Sequence, residues 1–175
     1  MRSKSTIVMV IVFVAGVAIG AFGRGPRVDA SIFSSKSKGE AARALLDEAK
    51  TEAGKGSWEN IAVGRVYYLS GKKSEGQAIF DAVTKKKASD WMRIGRIYIE
   101  AHEWPKAKDA FDRAVTLEPK DAAWLAEVGA FYNLQGDRAK AEELFTRSLA
   151  AEAGEVWYTV NIAGSYAGVE PRGNS

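Results

Sequence analysis

The sequence predicts an all-α fold of stacked helix hairpins, preceded by an N-terminal transmembrane or signal helix. Two observations predict it. An uncharged run extends from Ser5 to Gly23 near the N-terminus, and small and aromatic residues recur every 34 residues in the second half of the chain. A period of that length is typical of repeats that contain two helices each. The chain is therefore expected to divide into an apolar leader and a helical repeat domain.

The composition excludes several classes of chemistry. The 175 residues include no Cys and one His, so this chain cannot form a disulfide, a thiolate zinc site, a cysteine nucleophile or a two-His metal site. The net charge is +3, but no Arg-rich helix and no RNA-binding aromatic motif is present. We therefore predict no catalytic residue, no cofactor, no metal and no nucleic-acid partner.

The N-terminal segment indicates contact with a membrane. Residues 1–5 are a basic leader, and residues 6–22 are predicted as a transmembrane or signal-anchor helix. An uncharged helix of about 19 residues reaches about 28 Å, close to the roughly 30 Å of hydrocarbon in a bilayer. We expect a single-pass inner-membrane protein of a bacterium with its repeats in the periplasm. The alternative is secretion to the periplasm after signal cleavage near Ala18 and Gly20.

Composition also marks the segments that flank the repeats. Residues 23–39 are rich in Gly, Pro, Ser and Lys and are predicted to be a flexible tether. The apolar spacing then becomes helical and predicts a leading helix at 40–53 within a domain that spans 40–168. Residues 169–175, with Pro171 and Gly173, are predicted to be a disordered tail.

The repeat is visible when the chain is aligned with itself. Gly95 and Gly129 are 34 residues apart, as are Phe111 and Phe145. An earlier copy is spaced by 31, because it is three residues short near Lys85. We predict repeats at 57–87, 88–121 and 122–155 and a final helix at 156–168. The packing positions that define the repeat are Trp91, Gly95, Tyr98, Ala107, Phe111 and Pro119 in one copy, and Gly129, Tyr132, Ala141 and Phe145 in the next.

This unit resembles the tetratricopeptide repeat family, whose first helix carries the pattern of Trp91, Gly95 and Tyr98 and whose repeat closes on a Pro such as Pro119. The resemblance covers about residues 57–168. It implies a right-handed α-solenoid of helix hairpins, in which the first helix of each hairpin lines a concave groove for peptides or helices. The first copy departs from the pattern, with Gly76 in place of the small Ala.

The resemblance also locates the groove, on the positions that follow the packing residues of the first helices. These are Ile61, Arg65, Tyr68, Met92, Arg96, Ile99, Ala126, Ala130 and Asn133. Their bulk decreases along the chain, which favours an apolar or amphipathic partner segment, while the two arginines favour an acidic group. The alternative is that the small residues let the last helix pack closely. Trp58 and Trp157 are either groove rims or core.

We expect the chain to be a membrane-tethered adaptor that binds a protein or peptide partner in the concave groove and assists assembly of an envelope complex. The alternative is a self-associating scaffold that stacks through its repeat ends, because the final helix lacks the polar outer face of a cap. A homo-oligomer is compatible with both. An enzyme is not expected, since His102 falls at the turn position that Gly71 and Gly136 hold in other copies.

Overall fold

A computed structural model describes residues 28–173. In this range the chain forms eight α-helices and a short 3₁₀ turn at Ala30–Ile32, with no β-strand. The described part of the chain is therefore all-α. The helices are α1 (Lys38–Ala53), α2 (Ser57–Leu69), α3 (Lys73–Ala82), α4 (Ala88–Glu100), α5 (Trp104–Leu117), α6 (Ala122–Leu134), α7 (Arg138–Ala151) and α8 (Val156–Tyr166).

The predicted localisation needs correction. Of residues 28–173, no helix is both long and apolar enough to cross a membrane. The longest, α1, has 16 residues, whereas a span needs about 20 apolar ones. The predicted transmembrane or signal helix at 6–22 lies outside the described residues. The prediction of a single-pass inner-membrane protein with periplasmic repeats is overturned by this finding.

The helices pair in chain order. α2 packs against α3, α4 against α5 and α6 against α7, while α1 lies against α2 and α8 lies against α6. We call α2, α4, α6 and α8 the first helices, and α3, α5 and α7 the second helices. Each of α2, α4 and α6 has 13 residues. α3 has 10 residues against 14 in α5 and α7, so the short first copy is short in its second helix.

Each hairpin closes on a contact between a glycine and a phenylalanine. A Cβ atom added at Gly95 would lie 2.4 Å from Cε1 of Phe111, and one added at Gly129 would lie 2.6 Å from Cε1 of Phe145. The same contact recurs between α2 and α3. The ring therefore occupies the space that a side chain at the glycine position of the first helix would need. The repeat in the sequence corresponds to a repeated packing contact.

The first helices also end alike, in a Schellman motif. The His102 N–H donates to the Ile99 carbonyl at 2.9 Å, and the N–H of the next residue donates to the Tyr98 carbonyl at 2.8 Å. The same pair of bonds forms around Gly71 and Gly136. His102 has a φ of 57°, in the left-handed region that favours glycine, and its side chain is exposed. It is a turn residue.

The core runs between the hairpins. Phe111 of α5 stacks on Phe131 of α6 with ring centroids 5.0 Å apart, which joins two successive hairpins. Trp91 is partly buried, and Pro119 is exposed in the loop after α5, where the helix has already ended. The predicted packing positions that are buried are Gly95, Tyr98, Ala107, Phe111, Gly129, Tyr132, Ala141 and Phe145.

Candidate protein-binding surface

The exposed side of the row formed by α2, α4, α6 and α8 is the candidate site, and we call it the first-helix surface. Six of the nine predicted groove residues do not reach it. They are Ile61, Tyr68, Met92, Ile99, Ala126 and Ala130, all at most 9% exposed. These side chains belong to the hydrophobic core instead. The groove predicted from the sequence must therefore be redrawn around the residues that stay exposed.

The small residues of α6 bring α8 close. Ala126 and Ala130 have no exposed surface, and Ala126 packs in one cluster with Tyr158 of α8. Because α6 carries only small side chains at these positions, α8 can approach it closely. The decrease in side-chain size along the row thus corresponds to close helix packing, the alternative noted above, rather than to a deepening groove.

The two arginines of the predicted groove are already paired. Both Nε and Nη2 of Arg96 donate to the carboxylate of Glu127 on α6, at 2.6 and 2.7 Å. Arg65 makes the corresponding bidentate pair with Glu100 on α4. The pairs differ in burial: the Arg96 and Glu127 side chains are 23% and 4% exposed, those of Arg65 and Glu100 48% and 42%. Both guanidinium groups tie neighbouring first helices together.

A third polar bridge continues the series. Nδ2 of Asn133 on α6 donates to Oγ of Ser165 on α8 at 3.0 Å. Ser165 is 5% exposed, and its hydroxyl donates to the Ile162 carbonyl at 2.7 Å. Every step along the row, from α2 to α8, therefore has its own side-chain hydrogen bond.

Two tryptophans provide the largest exposed apolar area of this surface. Trp58 on α2 is 53% exposed and Trp157 on α8 is 60% exposed, which excludes the core assignment. The Arg93 guanidinium lies 3.8 Å from the centroid of the Trp58 ring, and Val160 lies one turn after Trp157 with 52% exposure. The surface thus has an aromatic group near each end and paired charges between. Exposed aromatic and Arg side chains are typical of the anchors of protein interfaces.

A charged network that the sequence analysis did not predict stabilises the start of α5. The Tyr68 hydroxyl donates to the Glu103 carboxylate at 2.5 Å, and Nζ of Lys106 lies 2.8 Å from the same carboxylate oxygen. Lys73 contacts the other oxygen. Hydrogen bonds from Lys106, Lys73 and Tyr68, in that order, lower the pKa of Glu103 to about 2. One feature of the sequence could have pointed to Glu103: an acidic residue directly follows the turn residue here, and Asp137 stands at the same place in the next copy.

The described residues also bear on metal binding. Across residues 28–173, no group of three or more His, Cys, Asp or Glu side chains could hold a metal ion. What the first-helix surface offers is aromatic and aliphatic area beside paired charges, which suits contact with another polypeptide.

Comparison with known proteins gives one distant relative. No protein-family model and no solved structure matches the chain. The human protein named cilia- and flagella-associated protein 70 is 31% identical over 102 residues, which cover 54% of this chain and 9% of that protein. The chain therefore spans less than a tenth of the length of that relative, and the similarity does not assign it to a family.

Proposed function

We propose that the chain is a tetratricopeptide repeat adaptor that binds a protein or peptide partner on its first-helix surface. Two features support the repeat assignment. The sequence pattern around Gly95 and Gly129 resembles that of the family, and the glycine contact recurs in three hairpins. Polar bridges join the first helices in chain order, as expected if the hairpins stack as a right-handed α-solenoid.

The observation that carries the functional proposal is the exposure of Trp58 and Trp157 near opposite ends of one helix row. A large aromatic side chain that stays in water loses the stabilisation that burial would give it, of order 2 kcal/mol or more. A partner that covers both rings gains that burial. The two tryptophans are therefore proposed as the anchors of the interface.

The chemistry of the partner follows from the same surface. Arg65 and Arg96 already hold carboxylates of this chain, so the acidic group expected from the sequence finds no free guanidinium there. Apolar area remains at Trp58, Trp157 and Val160. We propose an apolar or amphipathic partner segment.

Affinity capture with the full chain tests this proposal. Captured partners are identified by crosslinking and mass spectrometry and then purified for direct binding measurements. Trp58→Ser and Trp157→Ser should each weaken binding at least tenfold, while far-ultraviolet circular dichroism stays unchanged. Leu117→Ser is the matched control, because Leu117 is 51% exposed but lies on a second helix. Binding that survives both Trp substitutions and fails in the control would move the interface to the second helices.

A second candidate, a self-associating scaffold, is favoured by one observation on α8. Among the described residues no second helix follows this first helix to form a hairpin with it, and Tyr166 remains 51% exposed. The end of the stack could then meet the end of another copy. Light scattering of the purified chain distinguishes the candidates, since a scaffold gives a molar mass that rises with concentration and an adaptor without its partner stays monomeric.

A further inference from the structure

The segment that leaves α8 takes a different path from the segments that leave the other first helices. After α2, α4 and α6 the chain turns into a second helix. After α8 it runs without helix from residue 168 to residue 173 and meets Arg96 on α4. We call residues 168–173 the strap. It begins beside Gly164, whose carbonyl accepts the Val169 N–H at 2.8 Å.

The difference in path has a cause in the sequence. In α4 and α6 the left-handed turn residue, His102 or Gly136, comes seven residues after the packing glycine, whereas in α8 Gly168 comes five residues after Ala163. Gly168 has a φ of 77° and forms the same Schellman bonds. An α-helix rotates by about 100° per residue, so ending two residues early turns the exit by about 200°. The chain therefore leaves α8 on roughly the opposite side.

The strap ends against the Arg96 guanidinium. A Cβ atom added at Gly173 would lie 2.5 Å from Cζ, 2.6 Å from Nε and 2.7 Å from Nη2 of Arg96. The edge formed by Nε and Nη2 is already occupied by Glu127. The three similar distances therefore place Gly173 over the face of the guanidinium, which a side chain at this position would have to push aside.

Over its last four residues the strap alternates in exposure, as an extended segment on a surface does, whereas Gly168 and Val169 before them are both exposed. Pro171 and Gly173 are partly buried, whereas Glu170 and Arg172 between them are exposed. A period of two is typical of extended chain with one side against a surface. Because α6 is bridged to α4 on one side and to α8 on the other, a segment that runs from Gly164 to Arg96 crosses α6.

We propose that the strap binds across the first-helix surface of its own chain as an extended segment, and that a partner must displace it. The second part rests on the proposed function, since it assumes that the partner uses this surface. Glycine at position 173 suits this contact, because a larger side chain would have to push the Arg96 guanidinium away from Glu127. The predicted disordered tail at 169–175 is thus, over residues 169–173, an intramolecular ligand of the repeat domain.

Nitrogen-15 relaxation on the full chain tests the intramolecular contact between the strap and the first-helix surface without any partner. The amides of Val169, Glu170, Arg172 and Gly173 should have order parameters near the value of about 0.85 that is typical of rigid backbone. In Gly173→Leu the added side chain meets the guanidinium, and these values should fall below about 0.6. Arg172→Leu is the matched control, because it places the same side chain at a neighbouring outward position and should leave the strap ordered.

Low order parameters in the parent chain, or equal values in Gly173→Leu and the parent, would overturn the proposal. So would an ordered strap that loosens on dilution, since that result assigns the contact to a second copy. A synthetic peptide of residues 167–173 adds a positive test: it should bind the Gly173→Leu chain at least tenfold more tightly than the parent chain. If the strap is ordered but no variant captures a partner, the proposed function fails while the intramolecular contact of the strap stands.

Discussion

The Arg96 guanidinium and the Glu127 carboxylate join α4 to α6 through two parallel hydrogen bonds of 2.6 and 2.7 Å. With its side chain 4% exposed, Glu127 depends on this partner, because a buried carboxylate without a counter-charge is strongly destabilising. Arg65 and Glu100 form the equivalent bridge one step earlier, but both side chains are more than 40% exposed. The same bidentate Arg–Glu pair thus occurs once in a largely buried environment and once in solvent.

The two pairs should differ in their contribution to stability. Arg96→Ala is expected to lower the free energy of unfolding by about 3 kcal/mol, because Glu127 is left buried and unpaired. Arg65→Ala should lower it by less than about 1 kcal/mol, as is typical of solvated ion pairs. Urea denaturation measures both. Similar losses in the two variants would contradict the prediction.

A double variant separates burial of the charge from loss of the pair. Replacing Arg96 by Met and Glu127 by Leu together removes both charges and should recover most of the stability lost in Arg96→Ala. Should the double variant be as unstable as the single one, packing of the Arg96 stem, rather than the unpaired carboxylate, accounts for the loss.

Gly129→Leu should destabilise the third hairpin by overpacking. A Cβ atom at this position would already lie 2.6 Å from Phe145 and 3.2 Å from the Ala141 carbonyl oxygen, so the ring or the helix has to move. The expected loss is about 1–3 kcal/mol or more. Gly39→Leu is the matched control, because a Cβ atom at Gly39 in α1 meets nothing within 4 Å. Thermal melts that ranked the two variants the other way would place Gly129 outside the helix contact.

Much of the helix packing was predictable, because it depends on residues that recur. Small residues such as Gly95 and bulky ones such as Phe111 return at a fixed spacing, and each must meet its counterpart in every hairpin. The turn at His102 was also predictable, since Gly71 and Gly136 stand at the same place in other copies. A periodic sequence thus indicates the contacts made inside each repeat.

The surface was harder to predict, because it depends on contacts between copies that do not recur. Glu100 and Glu127, the partners of the two arginines, stand at different positions of their repeats, so no spacing connects them to Arg65 and Arg96. Burial of Met92 follows from how closely first helices approach, which the pattern within one repeat does not state.

The stability of the chain should depend on pH through Glu103. Hydrogen bonds, first from Lys106 and then from Lys73 and Tyr68, lower the pKa of this carboxyl from 4.5 to about 2 in the folded chain. Its stabilising contribution is therefore complete above about pH 5 and is lost as the pH falls toward 2. Because both lysines are about half exposed, we expect a contribution of about 1–2 kcal/mol rather than the full linkage value.

Urea denaturation of the parent and of Glu103→Gln at a series of pH values measures this contribution. The parent should be more stable at pH 6, and the difference between the two chains should shrink steadily between pH 5 and pH 2. Glu118→Gln, at an exposed carboxylate in the loop after α5, controls for the loss of a carboxylate as such. A difference that stays constant from pH 6 to pH 2 would show that the network does not hold Glu103 in its ionised form.

His102→Gly should stabilise the chain, although it removes an entire side chain. The φ of 57° at His102 lies in the left-handed region, which costs an L-residue about 1–2 kcal/mol and glycine almost nothing. The greater conformational freedom of glycine in the unfolded chain lowers stability by about 0.4–1 kcal/mol, so the net gain in the free energy of unfolding should be about 0.5–1 kcal/mol.

The control for this prediction is Ala101→Gly at the preceding position. Ala101 has a φ of −84°, so there is no strain to relieve, and the substitution should lower stability by up to about 1 kcal/mol. Chemical denaturation of the two variants beside the parent chain gives both values. If His102→Gly loses as much stability as Ala101→Gly, the imidazole makes a contribution that outweighs the backbone strain, and His102 is more than a turn residue.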